Sequence, residues 1–256
     1  MKIAIIGLGY VGNAMYNFFR DHYDVIFFDP GKEGSANRVQ INECDLGVVC
    51  VPTPMANDKS CDLSIVEETI GWLDTPLILL KSTVELGTTE RLKKKTGKRI
   101  VFSPEYCGES TYWSPYDFHT DVKETPFFIF GGDEKDASKM IDFFMPVVGP
   151  TKRYVKTDAT SAELAKYMEN SFYATKITFC YEMKNICDAL GSDYNEVREL
   201  FLLDPRVNPM HTSVFHENHL PFSGKCLPKD LELLLHEMET HSLKQTLFTA
   251  VKSDNS

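Results

Sequence analysis

The chain has 256 residues, of which 43% are hydrophobic and 25% charged, and its formal net charge is −10 at pH 7. This length and composition suit one large domain or two small domains with a full hydrophobic core. The acidic balance argues against nucleic acid or an anionic membrane as a partner. A negatively charged small molecule could still bind through a local basic pocket.

Membrane-spanning, secreted and metal-binding classes are also disfavoured. No apolar run is long enough to cross a bilayer, and the N-terminal run Ile3–Ile6 is too short for a signal peptide. The 7 cysteines are odd in number and include no C-x-x-C pair, so neither a disulfide framework nor a zinc site is predicted. We therefore expect a reducing, cytoplasmic location and no metal.

The N-terminal segment predicts a dinucleotide site. The apolar run Ile3–Ile6 leads into G-x-G-x-x-G at Gly7, Gly9 and Gly12, and a helical pattern follows. The glycines permit a tight turn, close approach of a pyrophosphate and close packing of helix on strand. A second apolar strand ends in Asp29, about 20 residues further on, where a carboxylate meets a ribose 2′-hydroxyl and repels a 2′-phosphate. The pattern therefore favours NAD over NADP.

Strands and helices alternate after this motif, as in an open parallel sheet. Three predicted strands end in the polar loops P-T-P, K-S-T-V and S-P-E-Y-C-G-E. Ligands of open sheets bind outside the carboxyl ends of the strands, although each loop alone is also explained by turn chemistry. The predicted strands are 25–28, 46–51, 77–80, 100–102, 127–130 and 153–155, and the predicted helices are 13–21, 63–73, a segment after Gly87, and 136–144.

Residues 158–190 contain neither proline nor glycine and carry apolar residues at helical spacing, which predicts one long helix. Thr160 and Glu163 have the spacing of an N-terminal capping box. Helices of this length often connect two domains or form a dimer interface, so we expect a homodimer. Lys166 and Asn170 share one face of this helix, as a functional pair or as a solvated polar edge.

The segment S-G-K-C-L-P-K-D places Cys226 two residues before a proline that predicts the start of a helix. The helix dipole and the neighbouring Lys225 and Lys229 favour the thiolate, so we expect a thiol pKa below the usual value of about 8.5. The alternative is a small buried apolar side chain. The local sequence does not decide between these two roles.

Several motifs, taken in order, resemble one enzyme family. They are GLGYVG, P-T-P, K-S-T-V, SPEYCGE, AELAKYMENSFYATKITFCYE, LLDPRV and SGKCLPKD. Together they resemble the UDP-glucose/GDP-mannose dehydrogenase family of nucleotide-sugar dehydrogenases, over residues 1 to about 251. The resemblance implies an α/β fold, with a Rossmann-type parallel-sheet NAD-binding domain at 1–156 and an all-α domain built on one long helix at 157–256. It also implies oxidation of a sugar primary alcohol to the carboxylate with two NAD.

The resemblance further implies a covalent mechanism. Cys226 would attack the aldehyde to give a thiohemiacetal, whose oxidation yields a thioester. Lys166 and Asn170 would stabilise the oxyanion at the sugar C6 oxygen. Asp230 would act with Lys166 on proton transfers through a bound water, and Glu105 would be the base for thioester hydrolysis.

The remaining implied roles concern binding. Thr83 would help hold the bound water. The residues implied in NAD binding are Gly7, Gly9, Tyr10, Val11, Gly12, Asp29, Thr53 and Thr83. The residues implied in substrate binding are Glu109, Lys166, Asn170 and Lys229.

Three departures from the family leave other functions open. The sequence stops where a typical member continues into a nucleotide-binding domain, so we expect a short form lacking that third domain. The segment from Asp29 to Leu46 is short, and 221–223 is P-F-S where glycines are common. The identity of the sugar and of the base is therefore not predicted. The alternatives are a two-electron dehydrogenase of the hydroxyacid type and a non-catalytic NAD-binding module or pseudoenzyme.

Overall fold

The computed structural model describes residues 1–56, 58–107, 120–214, 221–222 and 226–255. The strands are β1 (Lys2–Ile6), β2 (Asp24–Phe28), β3 (Leu46–Val49), β4 (Ile78–Leu80), β5 (Ile100–Phe102), β6 (Phe127–Gly131) and β7 (Arg153–Thr157). The helices are α1 (Tyr10–Phe19), α2 (Arg38–Asn42), α3 (Ser64–Trp72), α4 (Thr88–Thr96), α5 (Glu134–Val148), α6 (Ala159–Leu190), α7 (Tyr194–Phe201), α8 (Cys226–Thr240) and α9 (Thr246–Asp254).

The chain forms two compact units, Met1–Lys166 and Tyr167–Ser256. The first unit holds the sheet and the second is helical, which confirms the predicted α/β fold class. The predicted domain limits, 1–156 and 157–256, remain a prediction.

In the described part of the first unit, the strands form one seven-stranded sheet in the order β2-β1-β3-β4-β5-β6-β7. Strands β1 to β5 are parallel, as predicted. The pairing of β5 with β6 is antiparallel, whereas β6 and β7 are parallel to each other. The sheet is therefore mixed rather than wholly parallel. The carboxyl ends of β1 to β5 lie along one edge, which brings their loops together.

The core of this unit forms because the strands are apolar on both faces. All residues of β3, β4 and β5 are buried, as expected for parallel strands covered on both sides. An aromatic cluster packs on the sheet between α1 and α5. Its centre is Phe144, whose ring centroid lies 4.9 to 5.3 Å from those of Phe18, Phe19, Phe128 and Phe130.

The predicted long helix is confirmed as α6, but its predicted capping box is wrong. The helix begins at Ala159, so Thr160 lies inside it. The Asp158 side chain accepts a hydrogen bond from Ser161 N at 2.8 Å, which satisfies one of the unpaired N–H groups of the first turn. The Glu163 side chain instead contacts another helix, as described below.

The second unit has its own small core. Ala174 of α6, Phe222, Leu231 and Leu235 of α8, and Val251 of α9 form one buried cluster. Helix α8 begins at Cys226, two residues before the proline that predicted its start. The apolar leucines of α8 thus bury one face of the helix and leave Cys226 exposed at its first residue.

The C-terminus of α3 is capped by a lysine from the loop between α4 and β5. Lys98 Nζ donates hydrogen bonds to the carbonyl oxygens of Ile70, Gly71 and Leu73 at 2.8 to 2.9 Å. It also lies 2.9 Å from an Asp74 carboxylate oxygen. A cation here satisfies carbonyl groups that the helix itself leaves unpaired, and it opposes the negative end of the helix dipole.

We predict that Lys98→Met lowers the free energy of unfolding by about 1 to 3 kcal/mol, because it removes charge-assisted hydrogen bonds from partly buried carbonyls. Urea unfolding followed by circular dichroism measures this loss. Lys94→Met is the matched control, since Lys94 is exposed on α4 and should change stability by less than about 0.5 kcal/mol. Equal effects of the two variants would contradict a capping role for Lys98.

Candidate functional site

The glycine turn between β1 and α1 brings backbone segments into contact that side chains would separate. A Cβ on Gly12 would lie 1.9 Å from Gly7 O, and one on Gly7 would lie 2.7 Å from Cys50 O. Gly7 has φ +84°, a conformation that favours glycine. Gly9 is the N-cap of α1, and a Cβ there would meet nothing within 4 Å. The turn therefore leaves open space in front of the helix N-terminus.

Asp29 ties the end of β2 to this turn. Its Oδ2 accepts a hydrogen bond from Leu8 N at 2.8 Å, and its Oδ1 accepts one from Gly31 N at 3.1 Å. Tyr10 and Val11 form the first turn of α1, which carries no acidic residue. The positive end of α1 therefore remains available to an anionic group.

The loops after β3 and β4 are joined by side chains. Thr53 Oγ1 donates a hydrogen bond to Thr83 O at 2.7 Å. Ser82 Oγ donates to Val51 O at the same distance, 2.7 Å. The structure thus brings together Thr53 and Thr83, both predicted to line the cofactor site, at the edge that carries the glycine turn.

The loop after β5 contains a buried ion pair. Lys81, directly after β4, has a side chain that is only 5% exposed, and its Nζ lies 3.2 Å from Glu105 Oε2. Lys81 Nζ also donates a hydrogen bond to Pro104 O at 2.9 Å. Glu105 Oε1 accepts hydrogen bonds from the backbone N–H groups of Tyr106 and Cys107 at 2.8 and 2.7 Å.

These contacts set the charge of Glu105. Burial alone would raise the pKa of its carboxyl group, but the positive charge of Lys81 and the N–H groups of Cys107 and Tyr106 outweigh burial and hold the pKa below its ordinary value. The predicted base is therefore a carboxylate at neutral pH. The next residue contacts Lys166, because Lys166 Nζ lies 5.1 Å from the centroid of the Tyr106 ring.

Within the first unit, the N-terminal part of α6 is held to α4 by Glu163, one turn before Lys166. The carboxylate is fully buried and accepts hydrogen bonds from Gly87 N at 2.6 Å, Thr89 N at 2.9 Å and Thr89 Oγ1 at 2.6 Å. It therefore caps the N-terminus of α4. Burial raises the pKa of Glu163, and these hydrogen bonds only partly oppose that effect.

The second unit gathers four of the predicted residues. Asn170 Nδ2 donates a hydrogen bond to Asp230 Oδ2 at 2.5 Å, and both residues are buried. Lys229 Nζ donates to Asp230 Oδ1 at 2.6 Å. Cys226 and Asp230 lie four residues apart on α8 and so share one face. Asn170 likewise lies one turn after Lys166 on α6.

Other predictions fall outside what the structure describes or are not decided by it. Glu109 and Lys225 lie outside the described residues. Among the described residues, no group of three His, Cys, Asp or Glu side chains is arranged to hold a metal ion. No disulfide joins any of the 7 cysteines, all of which are described. To span a bilayer, a helix would have to be longer or more apolar than any that the described residues form.

Sequence reasoning missed two residues of this region, Lys81 and Glu163. The signal for Lys81 was a lysine directly after a buried strand, a position where a charge is costly unless it is paired. Glu163 was attributed to a local capping box, because its actual partners lie more than 70 residues away in the sequence.

The fold and these residue pairs define a Rossmann-type domain followed by a helical domain that carries an exposed cysteine. Residues 31–145 match the NAD binding domain of the UDP-glucose/GDP-mannose dehydrogenase family, and residues 160–256 match the central domain of that family. The chain therefore belongs to the UDP-glucose/GDP-mannose dehydrogenase family.

Individual relatives support this membership. The chain is 31% identical over 283 residues to the UDP-glucose 6-dehydrogenase YwqF of Bacillus subtilis, covering 92% of this chain and 61% of the relative. A UDP-glucose dehydrogenase structure from Pyrobaculum islandicum has a TM-score of 0.83 at 26% identity, covering 99% of this chain and 67% of that one. A UDP-D-ManNAc dehydrogenase structure from Pyrococcus horikoshii has a TM-score of 0.81 at 25% identity, covering 100% and 68%. The chain thus spans about two thirds of the length of these three relatives.

Proposed function

We propose that this chain is an NAD-dependent dehydrogenase that oxidises the primary alcohol of a nucleotide sugar, UDP-glucose or a similar compound, to the carboxylate. The observation that carries the proposal is the Cys226–Asp230–Asn170 arrangement. An exposed thiol lies one helical turn from a buried carboxylate, which is itself hydrogen-bonded to an amide. This combination suits covalent capture of an aldehyde followed by proton transfer.

The glycine turn fits NAD. The open space at Gly9 and the unopposed N-terminus of α1 suit a pyrophosphate, and Asp29 suits an adenosine ribose with a free 2′-hydroxyl. When bound, NAD supplies the acceptor for one hydride in each of two oxidations. Tyr10, Val11 and Gly12 would complete the turn that holds NAD, and Thr53 and Thr83, whose loops are joined by a hydrogen bond, would line the nicotinamide side.

The thiol of Cys226 retains the substrate between the two oxidations. The first oxidation converts the alcohol to an aldehyde, to which the Cys226 thiolate adds to form a thiohemiacetal. The second oxidation converts that adduct to a thioester. Without the C–S bond, the aldehyde could leave while the cofactor is exchanged.

Polar groups on α6 and α8 stabilise the charges that develop. Lys166 and Asn170 donate hydrogen bonds to the sugar C6 oxygen when it carries negative charge. Asp230 acts with Lys166 on proton transfer and is held in place by Asn170 and Lys229. Thr83 holds the water used in this transfer.

Hydrolysis of the thioester releases the product. Glu105 takes a proton from water, the resulting hydroxide attacks the thioester carbonyl, and the carboxylate product leaves as the Cys226 thiol is regenerated. The ionised state of Glu105 supports this role. Glu109 is proposed as a further substrate contact from its place in the family motif alone.

We predict two NADH per sugar consumed when the purified chain is given NAD and a panel of UDP- and GDP-sugars, because the full oxidation removes four electrons. Cys226→Ala should abolish this stoichiometry, and Cys226→Ser serves as the isosteric control with a much weaker nucleophile. One NADH per sugar with full activity in Cys226→Ala would instead indicate a two-electron, hydroxyacid-type dehydrogenase. NAD binding without any NADH would indicate a non-catalytic module.

We predict that Gly9→Ala weakens NAD binding about tenfold or more, equivalent to about 1.4 kcal/mol, because the methyl group would occupy the space proposed for the pyrophosphate. The melting temperature should not change, since a Cβ at Gly9 meets no protein atom within 4 Å. Gly71→Ala on α3 is the control, because its Cβ would also meet no atom within 4 Å. Titration calorimetry with NAD measures both variants, and unchanged affinity in Gly9→Ala would contradict this cofactor position.

We further propose a homodimer formed through the exposed apolar stripe of α6. The stripe consists of Met168, Phe172, Phe179, Ile186 and Leu190, which are 50% to 77% exposed. At 100° per residue these five positions fall within about 40° of one another, so they form one continuous line. A second copy of the chain presents the same line and could bury it by symmetric packing.

For the dimer, we expect sedimentation of the wild type at micromolar concentration to give the mass of two chains. Phe172→Glu with Phe179→Glu should give a monomer, because it places two carboxylates in the buried seam. Leu200→Glu is the control, since Leu200 is equally exposed on α7 but lies off the stripe. A monomeric wild type would refute the dimer. The cytoplasmic location expected from cysteine usage remains a prediction.

A further inference from the structure

Lys81 is an unusual lysine because almost none of its side chain reaches solvent. Its exposed fraction is 5%, and it follows the fully buried strand β4. Lysine is almost never buried unless its charge is paired. Its side chain extends from the end of β4 to the loop after β5. There the ammonium group donates a hydrogen bond to Pro104 O and forms an ion pair with the Glu105 carboxylate. The lysine thus joins two neighbouring loops at the carboxyl edge of the sheet.

The Glu105 carboxylate is held from two sides. One oxygen accepts hydrogen bonds from two consecutive backbone N–H groups, which fixes the plane of the carboxylate. The other oxygen is buried and lies 3.2 Å from Lys81 Nζ, so the two opposite charges attract each other directly. Both oxygens of the carboxylate are therefore fixed by neighbouring groups.

Lys81 supplies the charge that keeps Glu105 ionised. Among the residues that the structure describes, the thiols of Cys50 and Cys107 also interact electrostatically with Glu105 and Lys81. Burial raises the pKa of each thiol to about 12, so both remain neutral and do not compete for the ammonium group. Without Lys81, a carboxylate buried in this loop would take up a proton rather than remain charged.

We propose that Lys81 is a positioning residue for the hydrolytic half of the reaction: it holds the Glu105 carboxylate as an oriented anion that accepts a proton from water. This inference rests on the proposed function, in which Glu105 is the base. In the hydrolysis the proton passes from water to Glu105, the hydroxide forms the new C–O bond, and the C–S bond to Cys226 breaks. Lys81 itself transfers no proton and forms no covalent bond.

The first test needs no catalytic activity. Isotope-edited infrared spectroscopy of the full chain labelled with carbon-13 glutamate, taken as the difference between wild type and Glu105→Gln, reports the titration of this one carboxylate. We expect its titration midpoint to lie below the ordinary glutamate value of about 4.3. The difference between Lys81→Met and Lys81→Met/Glu105→Gln should show a midpoint of about pH 8, as for buried glutamates without a paired cation. A wild-type midpoint at or above the ordinary value, or an unchanged midpoint in Lys81→Met, would overturn the proposal.

The second test separates hydrolysis from oxidation. In a single turnover with an accepted nucleotide sugar, Lys81→Met should form NADH at a rate near that of wild type. It should then release the sugar acid at least tenfold more slowly at pH 7, and the rate should recover as the pH is raised. Glu105→Gln should be slow at every pH. Equal release rates and pH profiles in Lys81→Met and wild type would contradict the positioning role.

One further variant, together with the wild-type titration, keeps the tests decisive if Lys81→Met does not fold. Lys81→Arg keeps the charge, so it should restore ionised Glu105 and move the pH midpoint of hydrolysis back toward wild type. If Lys81→Met does not fold, the wild-type titration and Lys81→Arg still decide the matter, because a protonated Glu105 in either would refute the proposal. If no nucleotide sugar yields NADH, the proposed function fails, whereas the infrared titration still reports on Lys81 and Glu105.

Discussion

The close approach of α1 to β1 is the constraint on which the rest of the first unit depends. A single methyl group at Gly12 would lie 1.9 Å from Gly7 O, and one at Gly7 would push against Cys50 O at the end of β3. The three backbones can meet only because no side chain stands between them. This contact fixes where the N-terminus of α1 points, and Asp29 then fastens the end of β2 to the same turn through Leu8 N.

The same sheet edge explains why buried charge is tolerated after β4 and β5. Parallel strands in register end together, so a lysine that follows β4 can reach a carboxylate that follows β5. Taken separately, each charge would be expensive in this apolar setting, and removing either would leave the other buried and unpaired. The pair persists because strand register sets its separation, which links a folding constraint directly to the proposed base.

The sequence predicted the strands and the long helix well because apolar runs and the absence of proline and glycine are properties of short, continuous segments. The apolar runs gave β1 to β5, and the absence of proline and glycine gave α6 almost to the residue. The sequence could not show that β6 and β7 run opposite to β1–β5, since an apolar run carries no direction. It also could not show the partner of Glu163, because Thr89 lies 74 residues away, or the contact of Asn170 with Asp230 across 60 residues. The resemblance to the family motifs identified Asn170 and Asp230 as candidate residues. Only the structure shows that the two side chains are hydrogen-bonded.

Two buried glutamates, Glu163 and Glu105, have different partners, and their pKa values are shifted in opposite directions. Glu163 is met by backbone N–H groups and a hydroxyl, its pKa is raised, and its hydrogen bonds tie α6 to α4. Glu105 is met by a buried cation as well as by N–H groups, and its pKa is lowered. The pKa values of two glutamates in the first unit are thereby shifted in opposite directions, because only Glu105 lies beside a buried ammonium group. The Lys81 ammonium group accounts for the lowered pKa of Glu105. The proposed role of the loop after β5 therefore depends on Lys81 as well as on Glu105.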